Sequence, residues 1–209
     1  MPPNLTEFAR AERTDLAEFL SGLSPQQRER PSLCVGWRVR DVVAHMLSYE
    51  ELDARGVLRR VAKGVFTPKG PNAVGLAEYG SRSPEQLLDL LRANLQPRGL
   101  TAMLGGLPAF LDALIHQQDI RRPLGLPRQI PAERLRAALP ASLVAPPIRG
   151  FWRARGLRLV ATDVGWSARK GPEVRGNGEA LLLAIAGRPG VVHELDGPGQ
   201  PILAARIDG

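Results

Sequence analysis

The 209-residue sequence predicts a mainly α-helical protein, in which a four-helix bundle is followed by a small α+β unit. Apolar residues recur at helical spacing through the first three-quarters of the chain. Near Pro146 and Pro147 this pattern gives way to the alternation that is typical of a strand. We therefore place a helical bundle in residues 1–148 and a small α+β domain in residues 149–209.

Four substantial helices are predicted in the first part of the chain. The first follows Asn4, a residue that favours the N-cap position, and the second follows Trp37 and continues to about position 62. The third follows Ser83, which precedes a proline and stands three residues before a glutamine, as in a capping box. The fourth begins at about Pro108. A connection rich in glycine and proline, residues 63–80, separates the second helix from the third, as in bundles with one long crossover.

Later elements are shorter. A fifth helix is predicted after Pro131, where proline suits the first turn. In the tail, residues 157–161 alternate apolar and polar side chains, which predicts a strand. A helix is expected over 179–186, with Gly187 ending it. The last segment, QPILAARI, is predicted to be a strand.

Composition narrows the choice of compartment and partner. The N-terminal segment lacks the apolar core of a signal peptide, and there is no run of about 18 apolar residues that would span a membrane. Cys34 is the single cysteine, so an internal disulfide is impossible and a reducing compartment is expected. We expect a cytoplasmic monomer or homodimer that binds no membrane.

The net charge of +7 raises the question of nucleic-acid binding. The basic residues number 28, of which Lys63, Lys69 and Lys170 are the lysines and the other 25 are arginines. The arginines are scattered along the chain instead of forming one basic segment. We therefore expect no nucleic-acid partner.

The fourth predicted helix carries polar residues on an apolar surface. Asp112 and His116 are four residues apart, so both side chains lie on one face and can reach one point. This spacing occurs in paired metal ligands on helices, and a third ligand from a facing helix would leave coordination positions open. His45, on the second helix, is the best-placed candidate for that ligand. The alternative is an ion pair between Asp112 and an arginine.

Three other residues are weighed for function. Asp119 either orients the His116 ring or pairs with Arg121 or Arg122 at the end of the helix, and we favour the second role. Cys34 has no histidine close to it in sequence, so a small buried cysteine is favoured over a nucleophile. His193, in the tail, is expected at the surface.

Two segments carry a family resemblance. CVGWRVRDVVAHM, residues 34–46, and LDALIHQQDIRRPLGLPRQIPAERL, residues 111–135, resemble the mycothiol-dependent maleylpyruvate isomerase-like family of the DinB superfamily. The tail segment LRLVATDVGWSARKGPEVRGNGEALLLAIAGRP is similar to the C-terminal part of that family. The likeness extends over nearly the whole chain.

This resemblance implies a DinB-like four-helix bundle that binds a divalent metal, usually zinc, through His45, Asp112 and His116. It also implies mycothiol, a sugar-linked thiol, as a cofactor that the metal activates as a thiolate. In the enzyme that gives the family its name, the thiolate adds to the cis double bond of maleylpyruvate, and rotation and elimination give fumarylpyruvate.

Departures from the family pattern leave two functions open. The family enzyme has glutamate where this chain has the shorter Asp112. It also has an active-site arginine in its C-terminal domain, for which Arg175 and Arg188 are the candidates here. We expect a metal-dependent, mycothiol-type isomerase or S-transferase acting on a small electrophile. The alternative is a non-catalytic metal-binding or small-molecule-binding protein of the same fold.

Overall fold

A computed structural model describes residues 4–50, 52–65 and 70–208. The chain divides into two compact units, Met1–Pro127 and Arg128–Gly209. The first unit is helical, and the second combines helices with a small sheet. The predicted fold class is therefore confirmed.

The N-terminal unit contains the helical bundle. Its α-helices in the described residues are α1 (Leu5–Ser21), α2 (Pro25–Arg28), α3 (Val39–Leu47), α4 (Ala54–Val65), α5 (Gly70–Tyr79), α6 (Pro84–Ala93) and α7 (Met103–Leu124), and a short 3-10 helix over Gly99–Ala102 precedes α7. The bundle consists of α1, α3, α6 and α7, since α1 and α3 each pack against both α6 and α7. Its core is aliphatic and includes Leu16, Leu47, Leu87 and Leu91. The crossover from α3 to α6 holds α4 and α5, which pack against each other.

The predicted helix starts are confirmed at two places. The Asn4 side chain accepts a hydrogen bond from the backbone N–H of Glu7, at 3.2 Å. The Ser83 hydroxyl accepts from the N–H of Gln86 at 3.2 Å, and the Gln86 side chain accepts from the Ser83 N–H at 2.8 Å. These bonds satisfy N–H groups that have no partner inside the helix.

The predicted second helix is in fact two helices, α3 and α4. The first of them ends at Ser48, whose hydroxyl donates to the carbonyl of His45 at 2.8 Å. Just beyond, the Glu50 side chain turns into the interior. The loops predicted around α2 and α5 also contain these short helices, while residues 66–69 of the predicted connection lie outside the described part of the chain.

Glu50 belongs to a buried ion pair with Arg13 of α1. The two guanidinium nitrogens of Arg13 each donate to one carboxylate oxygen of Glu50, and the two side chains are 5% and 1% exposed. Thr101 donates to Glu50 at 3.2 Å, and Arg13 also donates to the carbonyl of Asn94 at 2.8 Å. The cluster, called here the Arg13–Glu50 cluster, joins α1 to the turn after α3 and to the segment before α7.

The fourth predicted helix is longer than expected. Near its start the helix is interrupted by a kink, where Leu104, Gly105 and Gly106 have left-handed backbone angles, and the regular helix follows Gly106, close to the predicted start at Pro108. A side chain at Gly106 would approach the Cα of Thr6 to 2.9 Å, so glycine is required there. The helix continues past Asp119 to Leu124 and ends where Gly125, at φ +69°, takes the left-handed cap conformation.

Residues 99–124 are long and apolar enough to meet the length and composition criteria for a membrane span, as core helices also do. Within the N-terminal unit, α7 packs against α1 and α3. Its buried residues include Phe110, Leu114 and Ile120. Packing inside the unit accounts for the apolar composition of this helix.

The C-terminal unit holds a three-stranded sheet and the remaining helices. In order, its elements are α8 (Ala132–Val144), a 3-10 helix (Pro146–Ile148), α9 (Gly150–Arg153), β1 (Arg158–Ala161), β2 (Trp166–Ala168), β3 (Glu173–Gly176), α10 (Gly178–Ile185), a 3-10 helix (Val191–Glu194) and α11 (Gln200–Asp208). The strand order is β2-β1-β3, with β1 antiparallel to β2 and parallel to β3. Both the predicted strand and the predicted helix of this tail are present, as β1 and α10.

Two parts of the predicted organisation differ from the structure. The predicted final strand is wrong, because QPILAARI forms α11; its buried Leu203 faces inward, and Arg206 donates to the carbonyls of Arg153 and Arg155 at 2.6 and 2.7 Å. The two units divide after Pro127 and not after residue 148. The reason is that α8 packs against α10 and so belongs to the C-terminal unit.

Candidate metal centre

The structure brings His45, Asp112 and His116 together in the N-terminal unit. The Oδ1 atom of Asp112 lies 3.4 Å from Nε2 of His116 and 3.8 Å from Nε2 of His45. The three ligand atoms all lie within 4.8 Å of one another. Metal–ligand bonds of about 2.0–2.2 Å in a tetrahedral arrangement place ligand atoms roughly 3.3–3.6 Å apart. The spacing therefore fits one divalent ion, and the role of these residues as ligands stays a prediction. These three atoms are called the outer set below.

Helix packing explains why the residues meet. Val42 and Val43 of α3 are buried in the core. This helix packs against α7 and carries His45. On α7, Asp112 and His116 are one turn apart and share a face. The rings of His45 and His116 meet edge to face, with their centroids 5.1 Å apart.

Aromatic residues hold the His45 ring in place. Its centroid is 5.0 Å from the ring of Trp37 and 5.7 Å from that of Tyr49. The hydroxyl of Tyr49 donates to Asn72 at 2.9 Å. The guanidinium of Arg60 lies 4.9 Å from the centre of the Tyr49 ring. This packing restricts the orientation of His45 before any ligand arrives.

Asp112 is the accessible member of the outer set. Its side chain is 32% exposed, whereas those of His45 and His116 are 10% and 12% exposed. The predicted alternative, an ion pair between Asp112 and an arginine, is not what the described residues show, because the ion-pair partners of Asp112 are the two histidines. A molecule from solvent can therefore approach the outer set on the Asp112 side.

Asp119 contacts the opposite edge of the His116 ring. It is fully buried, and its Oδ2 lies 2.8 Å from Nδ1 of His116. Asp119 is thus placed to orient the His116 ring, which is the less favoured of its two predicted roles. Arg121, near the end of the helix, donates to Gln117 at 2.9 Å and stacks over Phe19. With Nδ1–H held by Asp119, Nε2 of a neutral His116 presents its lone pair to the outer set.

Cys34 is the residue that the sequence reasoning missed. Its thiol donates to Oδ2 of Asp119 at 3.2 Å, and its sulfur lies 3.7 Å from Nδ1 of His116. These partners are 85 and 82 residues away in sequence, so local spacing could not predict the contact. The one available signal was that the Cys34 loop leads directly into α3, the helix that carries His45.

Opposing effects act on the pKa of His116. Burial lowers this pKa, but the charge of Asp112 and the hydrogen bonds to Asp119 and Cys34 raise it, and the net result is a pKa of about 10. In the metal-free protein, His116 is therefore protonated on both ring nitrogens at neutral pH and carries a positive charge. The site stabilises a positive charge between Asp112 and Asp119, and a metal at Nε2 would replace a proton.

The remaining predicted site residues lie in the C-terminal unit. Arg175 is on β3, with its side chain 55% exposed and 3.7 Å from Glu173. Arg188 follows α10 and donates to the carbonyl of Ala186 at 3.1 Å. A role for either arginine in substrate binding stays a prediction. His193 is exposed, as expected.

Comparison with known proteins supports the resemblance found in the sequence. Residues 9–109 match the family model for the mycothiol maleylpyruvate isomerase N-terminal domain, a span that includes His45 and ends just before Asp112. No curated protein matches the sequence significantly.

Two solved structures share the fold. The crystal structure of mycothiol-dependent maleylpyruvate isomerase matches with a TM-score of 0.62 and 16% sequence identity, covering 94% of this chain and 92% of the other. A histidine-to-alanine mutant of that enzyme matches over the same shares of both chains, with a TM-score of 0.61 and 16% identity. The N-terminal part of this chain therefore matches the model of the mycothiol maleylpyruvate isomerase N-terminal domain, and the chain shares the fold of the solved enzyme.

Proposed function

We propose that this protein is a metal-dependent isomerase or S-transferase that uses a mycothiol-type thiol as cofactor and acts on a small electrophilic molecule. The match of residues 9–109 to the family model and the shared fold support this function class. The observation that carries the proposal is the convergence of two imidazoles and one carboxylate at a single point that solvent can reach. This donor set is one that catalytic zinc sites use.

The proposed ligands are His45, Asp112 and His116, and the proposed metal is zinc. When bound, the metal would lower the pKa of a coordinated thiol, so that the cofactor is held as the nucleophilic thiolate. With three protein ligands, a tetrahedral ion keeps one position for the thiol. The side chain of Asp112 is shorter than the glutamate of the family enzyme. Its carboxylate nevertheless lies 3.4 Å from Nε2 of His116, a separation that two ligands of one ion can have.

Neighbouring side chains would keep these ligands in position. Asp119 fixes the His116 ring by accepting from Nδ1, while Trp37 and Tyr49 pack on His45. Burial raises the pKa of Tyr49; the charge of Arg60 lowers it, and that of Asp112 raises it further, with a net upward shift. Tyr49 therefore stays a neutral phenol beside the site, with its hydroxyl donating to Asn72.

The proposed partners are small molecules. A substrate with a carboxylate, such as maleylpyruvate, suits a chain with a net charge of +7, and Arg175 or Arg188 is the proposed counterpart of the family enzyme's active-site arginine. We further propose that the protein works in the cytoplasm as a monomer or homodimer, with no nucleic-acid or membrane partner.

Metal analysis and turnover test this proposal together. Purified protein supplemented with zinc should hold about one ion per chain at the outer set, and His116→Ala should lose it. His193→Ala, which removes an exposed histidine of the C-terminal unit, is the matched control and should keep the metal. Turnover is then measured with mycothiol and maleylpyruvate, and with a panel of other electrophiles.

The outcomes separate the two candidate functions. Metal-dependent, thiol-dependent turnover that is lost in His116→Ala supports the proposal. Bound metal without turnover across the panel supports the alternative, a non-catalytic metal-binding or small-molecule-binding protein. Absence of stoichiometric metal even after supplementation overturns the proposal and the metal-binding form of the alternative.

A further inference from the structure

A second group of ligand atoms lies on the other edge of the His116 ring. It consists of Sγ of Cys34, Oδ2 of Asp119 and Nδ1 of His116, called here the inner set. The sulfur is 3.2 Å from the Asp119 oxygen and 3.7 Å from the His116 nitrogen, and that oxygen and nitrogen are 2.8 Å apart. The two sets share one residue but use different nitrogens of its ring.

These distances approach those around a bound ion. In a tetrahedral site with bonds of about 2.0–2.3 Å, pairs of ligand atoms are roughly 3.3–3.7 Å apart. The two distances to sulfur lie in or close to this range. The third distance, between Oδ2 of Asp119 and Nδ1 of His116, is that of a hydrogen bond. An increase of roughly half an ångström would bring it to the spacing of two ligands.

The charges of the inner set also suit a divalent ion. A thiolate, a carboxylate and a neutral imidazole bring two negative charges, which one divalent cation cancels. This balance matters because Asp119 is fully buried, and an uncompensated charge there would be costly. On binding, the thiol of Cys34 and Nδ1 of His116 each release one proton to solvent, and the ion takes their place. The thiolate favours a thiophilic ion over magnesium or calcium.

The loop that carries Cys34 is held in place before any ion arrives. The Cys34 N–H donates to the hydroxyl of Ser32 at 3.1 Å, and the Trp37 N–H donates to the carbonyl of Cys34 at 2.9 Å. The Leu33 N–H donates to the backbone carbonyl of Asp119 at 2.9 Å, which ties this loop to α7. Cys34 is partly exposed, so an ion can enter on its side.

We propose that the inner set is a second cation site, which binds a thiophilic divalent ion such as cobalt or cadmium. An ion there occupies the nitrogen that otherwise donates to Asp119, so the inner ion and the hydrogen bond that orients His116 exclude each other. A thiophilic ion in the inner set therefore disturbs the outer set, because it removes the hydrogen bond that orients His116. This inference does not rest on the proposed enzymatic function.

Cobalt(II) is the probe for this site in the full-length protein. Cys34 is the only cysteine, so any absorption band from thiolate-to-cobalt charge transfer must come from it. The band is expected in the wild type and in His45→Ala, which removes a ligand of the outer set alone. It should vanish in Cys34→Ser and in Cys34→Ala, while both variants keep a cobalt ion at the outer set. Asp119→Asn should shift the titration of the band to at least tenfold higher cobalt.

Two results would overturn the inference. One is the absence of the band from wild type and His45→Ala when circular dichroism shows both to be folded. The other is loss of the band in His45→Ala, which would make Cys34 a ligand of the outer ion and not of a separate site. Failure here is distinguishable from failure of the proposed function, because zinc content and turnover are measured in Cys34→Ser, which lacks the inner set.

Discussion

Two buried clusters of charged side chains in the N-terminal unit are built in opposite ways. In the Arg13–Glu50 cluster, a guanidinium meets a carboxylate through two hydrogen bonds, and both side chains are almost fully buried. Around His116, the carboxylates of Asp112 and Asp119 flank an imidazole whose positive charge is a proton. An arginine cannot lose its charge at any ordinary pH, whereas a histidine can exchange a proton for a metal ion.

This difference separates a structural role from a chemical one. The Arg13–Glu50 cluster holds three segments together, and its two charges already neutralise each other, with further hydrogen bonds to Thr101 and the Asn94 carbonyl. The His116 cluster has a removable charge and one side that solvent can reach. We therefore expect the first cluster to govern folding and the second to govern binding.

Removal of Glu50 should give the largest effect on stability. Glu50→Ala leaves the Arg13 guanidinium buried without its counter-charge, and such losses cost about 3–5 kcal/mol. The free energy of unfolding in urea measures this, and the zinc content of the folded fraction should not change. Glu85→Ala is the control, because Glu85 is 69% exposed in its pair with Arg28, and its removal should lower the free energy of unfolding far less. Equal losses in the two variants would contradict the structural role.

The stability of the metal-free protein should fall as the pH rises. The pKa of His116 is about 10 in the folded protein and 6.5 as a reference value, so folding favours the protonated ring. This stabilisation is complete below pH 6.5 and is lost as the pH approaches 10, by up to about 1.4 kcal/mol per pH unit. Urea unfolding of metal-free protein at several pH values tests the slope. A His116→Gln variant that shows the same slope would assign it to other groups.

Asp119→Asn should weaken metal binding without removing a ligand of the outer set. An amide still accepts from Nδ1 of His116 but lacks the charge that makes the imidazole a stronger ligand, and such changes cost about 10–100-fold in affinity. Competition with a chelating dye measures the zinc affinity. Asp89→Asn, the same change at a side chain that is 76% exposed, should leave it unaltered. An unchanged affinity in Asp119→Asn would remove this residue from the site.

The sequence predicted those features that depend on local patterns. The caps at Asn4 and Ser83 and the helical face shared by Asp112 and His116 all follow from spacings of four residues or fewer. The final segment, QPILAARI, was predicted to be a strand, but it forms a helix in which Leu203 is buried and Arg206 donates to the carbonyls of Arg153 and Arg155.

Long-range contacts could not be predicted from local patterns. Nothing near Cys34 in the sequence indicates that Asp119 and His116 will surround its sulfur. The assignment of α8 to the second unit likewise depends on its packing against α10 and not on its own sequence. The break between α3 and α4 reflects the distant partner of Glu50, which is Arg13.

The bond between the Leu33 N–H and the Asp119 carbonyl has a consequence for the order of folding. It joins two residues that are 86 positions apart in sequence, so it cannot form until α7 has been synthesised and has docked. During synthesis, His45 is therefore made before Asp112 and His116, the other two proposed ligands. Metal capture should be among the last events of maturation, and a chain truncated before α7 should emerge from the ribosome without affinity for zinc.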